Sequence, residues 1–339
     1  MASMATFFAD HFKIDPDLLD EHGAFNISLV TDLPVFIDPF LLFNSTKPEY
    51  QELHQRIIQY LVFLRDKSLA GPVHDALLRS WYCFPEIRQT WLGFSRVGNS
   101  GSGLGFDFAA ALHENLYRIF SDFGTEQVTR GSHLEKVCLI REGVGRDNIS
   151  DFTANLIKEY LCNYSQTFAL AHLAPDRRRR VAINNVRFNF ATERWEPDRY
   201  VLPWINGDYV ILTPKDMLTK DDTWINKNDL IREFHELPNA IPDDQLRMQV
   251  SNYFQRVLPR HRNREANQRE RADAARLTIL QFPPLIDYYI RLKEDRGDQA
   301  ENISHDKIFQ TEQLFIFRLQ ELQAQLKQQT PFYETGRTT

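Results

Sequence analysis

The run "RRRRVAINNVRFNFATERW", Arg177 to Trp195, and the following "RYVLPWINGDYVILTPKDML", Arg199 to Leu218, decide the fold class. Polar and apolar residues change places with a period of two, and β-branched and aromatic side chains dominate, as on strands with one face covered. The "ING" at Ile205 to Gly207 reads as a tight turn, and Val210 to Thr213 as a buried strand. On either side the period becomes helical. Leu53, Ile57, Tyr60, Leu61 and Leu64 share one helical face, with Ser45 or Thr46 in its cap region and Pro48 near its start. Phe108, Leu112 and Leu116 share another, and Phe152, Leu156, Tyr160, Tyr164 and Phe168 predict one long helix.

Working outward, "FNISLVTDLPVFIDPFLLF", Phe25 to Phe43, is cut by Pro34 and Pro39 into short extended pieces, with Asp32 and Asp38 bracketing "LPVFI". From about Asn239 the pattern is helical to the end. The expected architecture is α+β: a mixed or antiparallel sheet flanked by helices, with a helical C-terminal part. Residues 1–238 would form the α+β region and 239–339 the helical one. In the last helix Phe315, Leu319, Leu322 and Leu326 make a narrow seam, suited to packing within the domain or to a homodimer.

The 339 residues carry a net charge of −6, which excludes a globally basic nucleic-acid binder and leaves only local patches. Two exist: Arg177 to Arg180, and Arg260 to Arg276 with six Arg against three acids. Solvated helix and strand ends explain both as well as a polyanion does. Cys83, Cys138 and Cys162 are odd in number and form no CxxC pair, as expected of reduced thiols in a cytoplasmic protein. "MASMATFFADHF" lacks the build of a secretory signal, and no window approaches ~18 uninterrupted apolar residues, so no membrane span is expected.

Candidate chemistry centres on "EGVGRDNISDFTANLIKEYL", Glu142 to Leu161. Metal-dependent phosphodiester cleavage needs two or more carboxylates around a divalent cation, usually with a lysine that positions the attacking water. Nucleases of the PD-(D/E)xK kind draw these from a helical Glu, an Asp and a strand-borne acid-x-Lys. Glu135, Asp147 and Asp151 are the candidate Mg²⁺ ligands, with Lys215 the candidate catalytic lysine. Thr213 stands where the pattern wants an acid, so Asp216 or Asp208 would have to substitute. The plainer reading makes Asp151 a dipole-favoured acid in a helix's first turn after a capping Ser150, and Asp147 a turn former.

"GNSGSGLG", Gly98 to Gly105, has the build of an anion-binding loop or a simple turn, without a Walker lysine. Arg256 and His261 have the Rx4H spacing of HEPN-type ribonucleases, but Pro259 between them breaks the helix that pair requires. Asp38, before Pro39, is either a turn former or a carboxylate delivered from a buried strand to a cleft. The histidines show no zinc-ligand spacing, and no serine-hydrolase elbow is present.

Five segments, "FIDPFLLF", "GNSGSGLG", "HLEKVCLIREGVGRDNISDFTANLIK", "LPWINGDYVILTPKDML" and "PPLIDYYIRLKED", resemble a group of bacterial proteins associated with anti-phage defence loci. The resemblance spans Phe25 to Asp295. It implies a role in antiviral defence beside partner proteins and transfers no catalytic residue. Two functions follow: a Mg²⁺-dependent, nuclease-like effector, or a non-enzymatic sensor or adaptor subunit that binds a partner protein.

Overall fold

The alternating run forms a long antiparallel hairpin, β2 (Arg178–Asn189) with β3 (Arg194–Ile205). The structure, a computed structural model, describes residues 7–93, 105–120, 123–140, 144–220 and 222–329. Ile183, Val186, Tyr200 and Leu202 point into the core, while Arg180, Ala182 and Arg199 are exposed. The register shifts between Ile183 and Arg187, where Asn185 has φ 52°. Asn206 (φ 50°) and Gly207 (φ 88°) then turn the chain into β4 (Asp208–Tyr209), with the paired positive φ that a type I′ turn demands.

A second, two-stranded sheet pairs β1 (Phe36–Ile37) with β5 (Leu218–Thr219), again antiparallel. Val210 to Thr213 is fully buried as expected, yet it joins no ladder. Its backbone partners are scattered: Ile211 N–H donates to the Gln89 carbonyl, Leu212 N–H to Ser165 Oγ, and the Thr213 carbonyl accepts from Phe25 N–H.

Helices cover these sheets. Leu53, Ile57, Tyr60, Leu61 and Leu64 all lie buried along Pro48–Leu69, each contributing about 1.5–3 kcal/mol of apolar burial. Two expectations change. The predicted long helix is two, Arg146–Leu156 and Lys158–His172, broken at Ile157. Thr153 Oγ1 and Asn155 Nδ2 bond back to the carbonyls of Ile149 and Asp151 just before the break, a pattern that bends helices. Pro39–Asn44 is a short helix rather than an extended piece, because Pro39 suits the first helical position and the Asp38 side chain caps it.

The C-terminal part is helical: Asp244–Val257, Gln268–Gln281, Leu285–Asp295 and Gly297–Gln329. One apolar core takes residues from both sides of position 238. The last helix is tied back by Ser304 Oγ to the Leu218 carbonyl and by Glu312, which accepts from Asn26 N–H at 3.1 Å. The side chains of the seam Phe315, Leu319, Leu322 and Leu326 lie outside the described residues. No described helix is long and apolar enough to cross a membrane.

Candidate functional site

Asp147 and Asp151 stand one turn apart on the Arg146–Leu156 helix. That helix is held on β1 by Ser150 Oγ, which accepts from Ile37 N–H at 2.9 Å. Asn155 Nδ2 donates to the Pro85 carbonyl at 2.7 Å, bringing Glu86 alongside. The segment before β1 runs beside Leu92, with Gly93 N–H bonded to the Leu33 carbonyl at 3.0 Å. Asp32, Glu86, Asp147 and Asp151 thereby form one acidic cleft at Gly93. A Cβ at that glycine would stand 3.4 Å from Asp147 Oδ1 and 3.8 Å from Glu86 Oε1, so both carboxylates border one point.

Depth separates the four. Asp147 is exposed, Asp151 half-buried, and Asp32 only 6% exposed. Burial first, and then the charges of Glu86 and Asp147, push the Asp32 carboxyl up to about 7. Burial, Asp147 and Glu86 push Asp151 up to about 8. Asp147 is also raised by burial, against the opposing pull of Arg146. Neither Asp32 oxygen has a hydrogen-bond partner, an expensive arrangement for a buried carboxylate. All-oxygen donors suit Mg²⁺, Mn²⁺ or Ca²⁺. Among the described residues no three His, Cys, Asp or Glu side chains are already drawn together as a metal shell.

Glu135 lies elsewhere. It precedes the short helix Lys136–Ile140, is 1% exposed, and is raised well above the ordinary carboxyl range by burial and by Asp38. Asp38 accepts from Phe40 N–H at 3.0 Å and Trp224 N–H at 2.7 Å. Burial lifts it to about 6 against the pull of those amides and of Lys293. The two acids form a buried carboxyl pair binding β1 to the Trp224 loop. Asp38 is thus a helix cap and loop clamp in this setting.

Lys215 is in a third place. Its ammonium meets Asp20 at 2.5 Å and Glu312 at 2.7 Å. Burial alone would lower its pKa, but those two hydrogen bonds and charges outweigh it and raise it. The lysine latches the N-terminal helix Pro16–His22 to the long C-terminal helix. The acids that were to replace one at Thr213 are committed too: Asp216 accepts from Tyr50 Oη and Lys47 Nζ, both at 2.5 Å, and Asp208 accepts from Gln89 Nε2 at 3.0 Å. Of the four residues expected to share a pocket, the structure brings together only Asp147 and Asp151. Asp32 and Glu86 complete the cleft instead. Asp32 was visible in the sequence as an acid bracketing "LPVFI"; nothing in "CFPEIRQ" marked Glu86.

The basic runs are partly spent on structure. Arg178 donates to the carbonyls of Ala169 and Leu170 at 2.8 and 2.6 Å, capping the Lys158–His172 helix. Arg177 bonds the His11 carbonyl, and Arg179 stacks 4.8 Å from the Trp204 ring centroid. Arg264 pairs with Glu270, Arg271 with Glu265, and Arg276 with Asp273. Arg256 lies on the Tyr253 ring while His261 bonds Glu270, so that pair is not assembled. Of "GNSGSGLG" only Gly105, which precedes the helix Phe106–Ile119, is among the described residues.

Residues 13–226 match the family model described as "Domain of unknown function (DUF8370)". The chain belongs to the DUF8370 family. The matched segment holds all four acids of the cleft, together with Asp38, Glu135 and Lys215, and ends before the helices from Lys227 onward. No curated protein and no solved structure matches the chain.

Proposed function

We propose that this protein is a divalent-cation-dependent phosphodiesterase of nuclease-like type, with Asp32, Glu86, Asp147 and Asp151 as the cation ligands. The observation that carries the reading is Asp32, a buried carboxylate with two unpartnered oxygens beneath three further acids. Mg²⁺ or Mn²⁺, when bound, supplies a Lewis acid for a phosphate oxygen and lowers the pKa of a coordinated water. The chain's own part is electrostatic. Asp151, pushed up to about 8 in the metal-free protein, would give up its proton on ligating the cation, so cation uptake at neutral pH should release a proton. Arg146, whose guanidinium lies 4.6 Å from the Phe36 ring centroid, stands beside Asp147 as the cation for orienting a phosphate. The substrate class is nucleic acid, with exposed Arg180 and Arg199 on the hairpin as candidate backbone contacts. A cytoplasmic role in bacterial antiviral defence rests on the sequence resemblance.

The test is cleavage of DNA and RNA by the purified protein with Mg²⁺ or Mn²⁺. Asp32→Asn and the pair Asp147→Asn, Asp151→Asn should abolish it, while Lys215→Ala should retain it. An Asp32→Asn protein that cleaves as well as its parent removes the assignment.

One observation favours the adaptor reading: Lys215 is occupied by Asp20 and Glu312, so the expected nuclease lysine does not serve the cleft. Calorimetry without Mg²⁺ or Mn²⁺ uptake, combined with stable co-purification of a partner protein, selects it.

A further inference from the structure

The helices beyond the DUF8370 segment border a half-open pocket of about 770 Å³, lined by Ile231, Phe234, Val250 and Phe254 with two arginines, Arg232 and Arg271. The size is that of a small-molecule site. The Phe234 and Phe254 rings lie 5.0 Å apart, tilted by 32°, along one wall. Among the described residues no carboxylate lines the pocket, although the chain carries a net charge of −6. We propose that this cavity binds a small amphiphilic anion, with an apolar body against the phenylalanines and a carboxylate or similar head between the guanidinium groups.

Both arginines can be released to such a head group. Arg232 pairs with Asp229 at 2.5 Å, but Asp229 keeps a second, buried cation, Lys293 at 3.0 Å, when Arg232 turns away. Arg271 pairs with Glu265, whose side chain is 89% exposed and is rehydrated at little cost. A planar guanidinium presents two parallel donors to a carboxylate. A neutral ligand of the same length would leave both arginines with their present partners, so the cavity should discriminate by charge.

The probe is 8-anilinonaphthalene-1-sulfonate, added to the full chain and competed with dodecanoate, dodecanol or an acidic amphipathic helical peptide. The expected result is a fluorescence rise reversed by dodecanoate at concentrations at least about tenfold lower than dodecanol requires, as loss of a charge-assisted pair implies. Arg232→Gln with Arg271→Gln should erase that preference. Ala272→Phe, which fills the cavity from a half-buried wall position, should abolish the rise with an unchanged circular dichroism spectrum. Ser251→Phe on the facing helix does the same if the first variant misfolds, and the arginine pair decides alone if both do. The proposal is overturned by a parent protein that gives no rise, by equal competition from dodecanol, or by folded cavity-filled variants that still bind the probe. Displacement by the peptide and not by dodecanoate also overturns it, assigning the cavity to a protein partner.

Discussion

Replacing Asp32 by asparagine should stabilise the metal-free protein while destroying the proposed cation site. The Asp32 carboxyl titrates near 7 in the fold and near 3.9 in an unfolded chain, a gap worth at most about 4 kcal/mol. Its neighbour Asp147 is exposed, and solvent screening reduces the figure to about 2 kcal/mol. Because the folded value is the higher, the unfolded chain loses its proton first as pH rises. Stability is therefore lost between about pH 4 and 7 and stays low above that window. Asparagine has the same shape and no charge to lose. In thermal unfolding with EDTA, Asp32→Asn should melt about 3 °C above the parent at pH 8.5 and nearly level with it at pH 4, taking ~2.1 cal/mol/K per residue for the unfolding entropy. Saturating Mn²⁺ should reverse the order at pH 8.5, since a ligand at one hundred times its Kd adds about 2.7 kcal/mol to the parent alone. A variant that melts below the parent at pH 8.5 without metal would refute the reasoning, because it would mean that the charged carboxylate already has stabilising partners.

Lys215→Ala should cost about 2 kcal/mol in urea unfolding, by removing the counter-charge of the 7%-exposed Glu312 and leaving it only the Asn26 N–H, while leaving Mn²⁺ calorimetry unchanged; loss of metal binding would restore the lysine to the site. Arg178→Ala removes the donors to the Ala169 and Leu170 carbonyls and should lower stability by about 1–2 kcal/mol with no change in the salt dependence of nucleic-acid binding. Gly93→Ala should lose about 1–2 kcal/mol from strain at φ 116°. Its new methyl, 3.4 Å from Asp147 Oδ1, should also weaken Mn²⁺ uptake in the same calorimetric assay.

Local patterning carried a large part of the fold. The two-residue period from Arg177 to Ile205 was sufficient for the strands β2 and β3, because one covered face dictates which side chains alternate, but not for their pairing, and Val210 to Thr213 is buried without becoming a strand. Asn206 and Gly207 were legible as the turn from β3 into β4 because few residues accept paired positive φ. The face from Leu53 to Leu64 needed only helical spacing. The kink at Ile157 was not legible, since Thr153 and Asn155 reach back to carbonyls only once the helix exists.

The candidate site divides differently. The sequence singled out Asp147 and Asp151 but set Asp147 in a turn and Asp151 behind a capping Ser150; the helix in fact starts at Arg146 with Gly145 as its N-cap, which puts both acids inside it, one turn apart. Which charges meet them was a tertiary decision. Asp32 comes from a segment over one hundred residues upstream, docked through Leu33 and Gly93, and Glu86 from a loop fastened by Asn155. The same long-range packing carried Glu135 to Asp38 and Lys215 to Glu312. Periodicity determines which face of an element is buried, and it says nothing about which distant element covers that face. The elements were therefore written locally in this chain, and the company each carboxylate keeps was settled by the packing of the core.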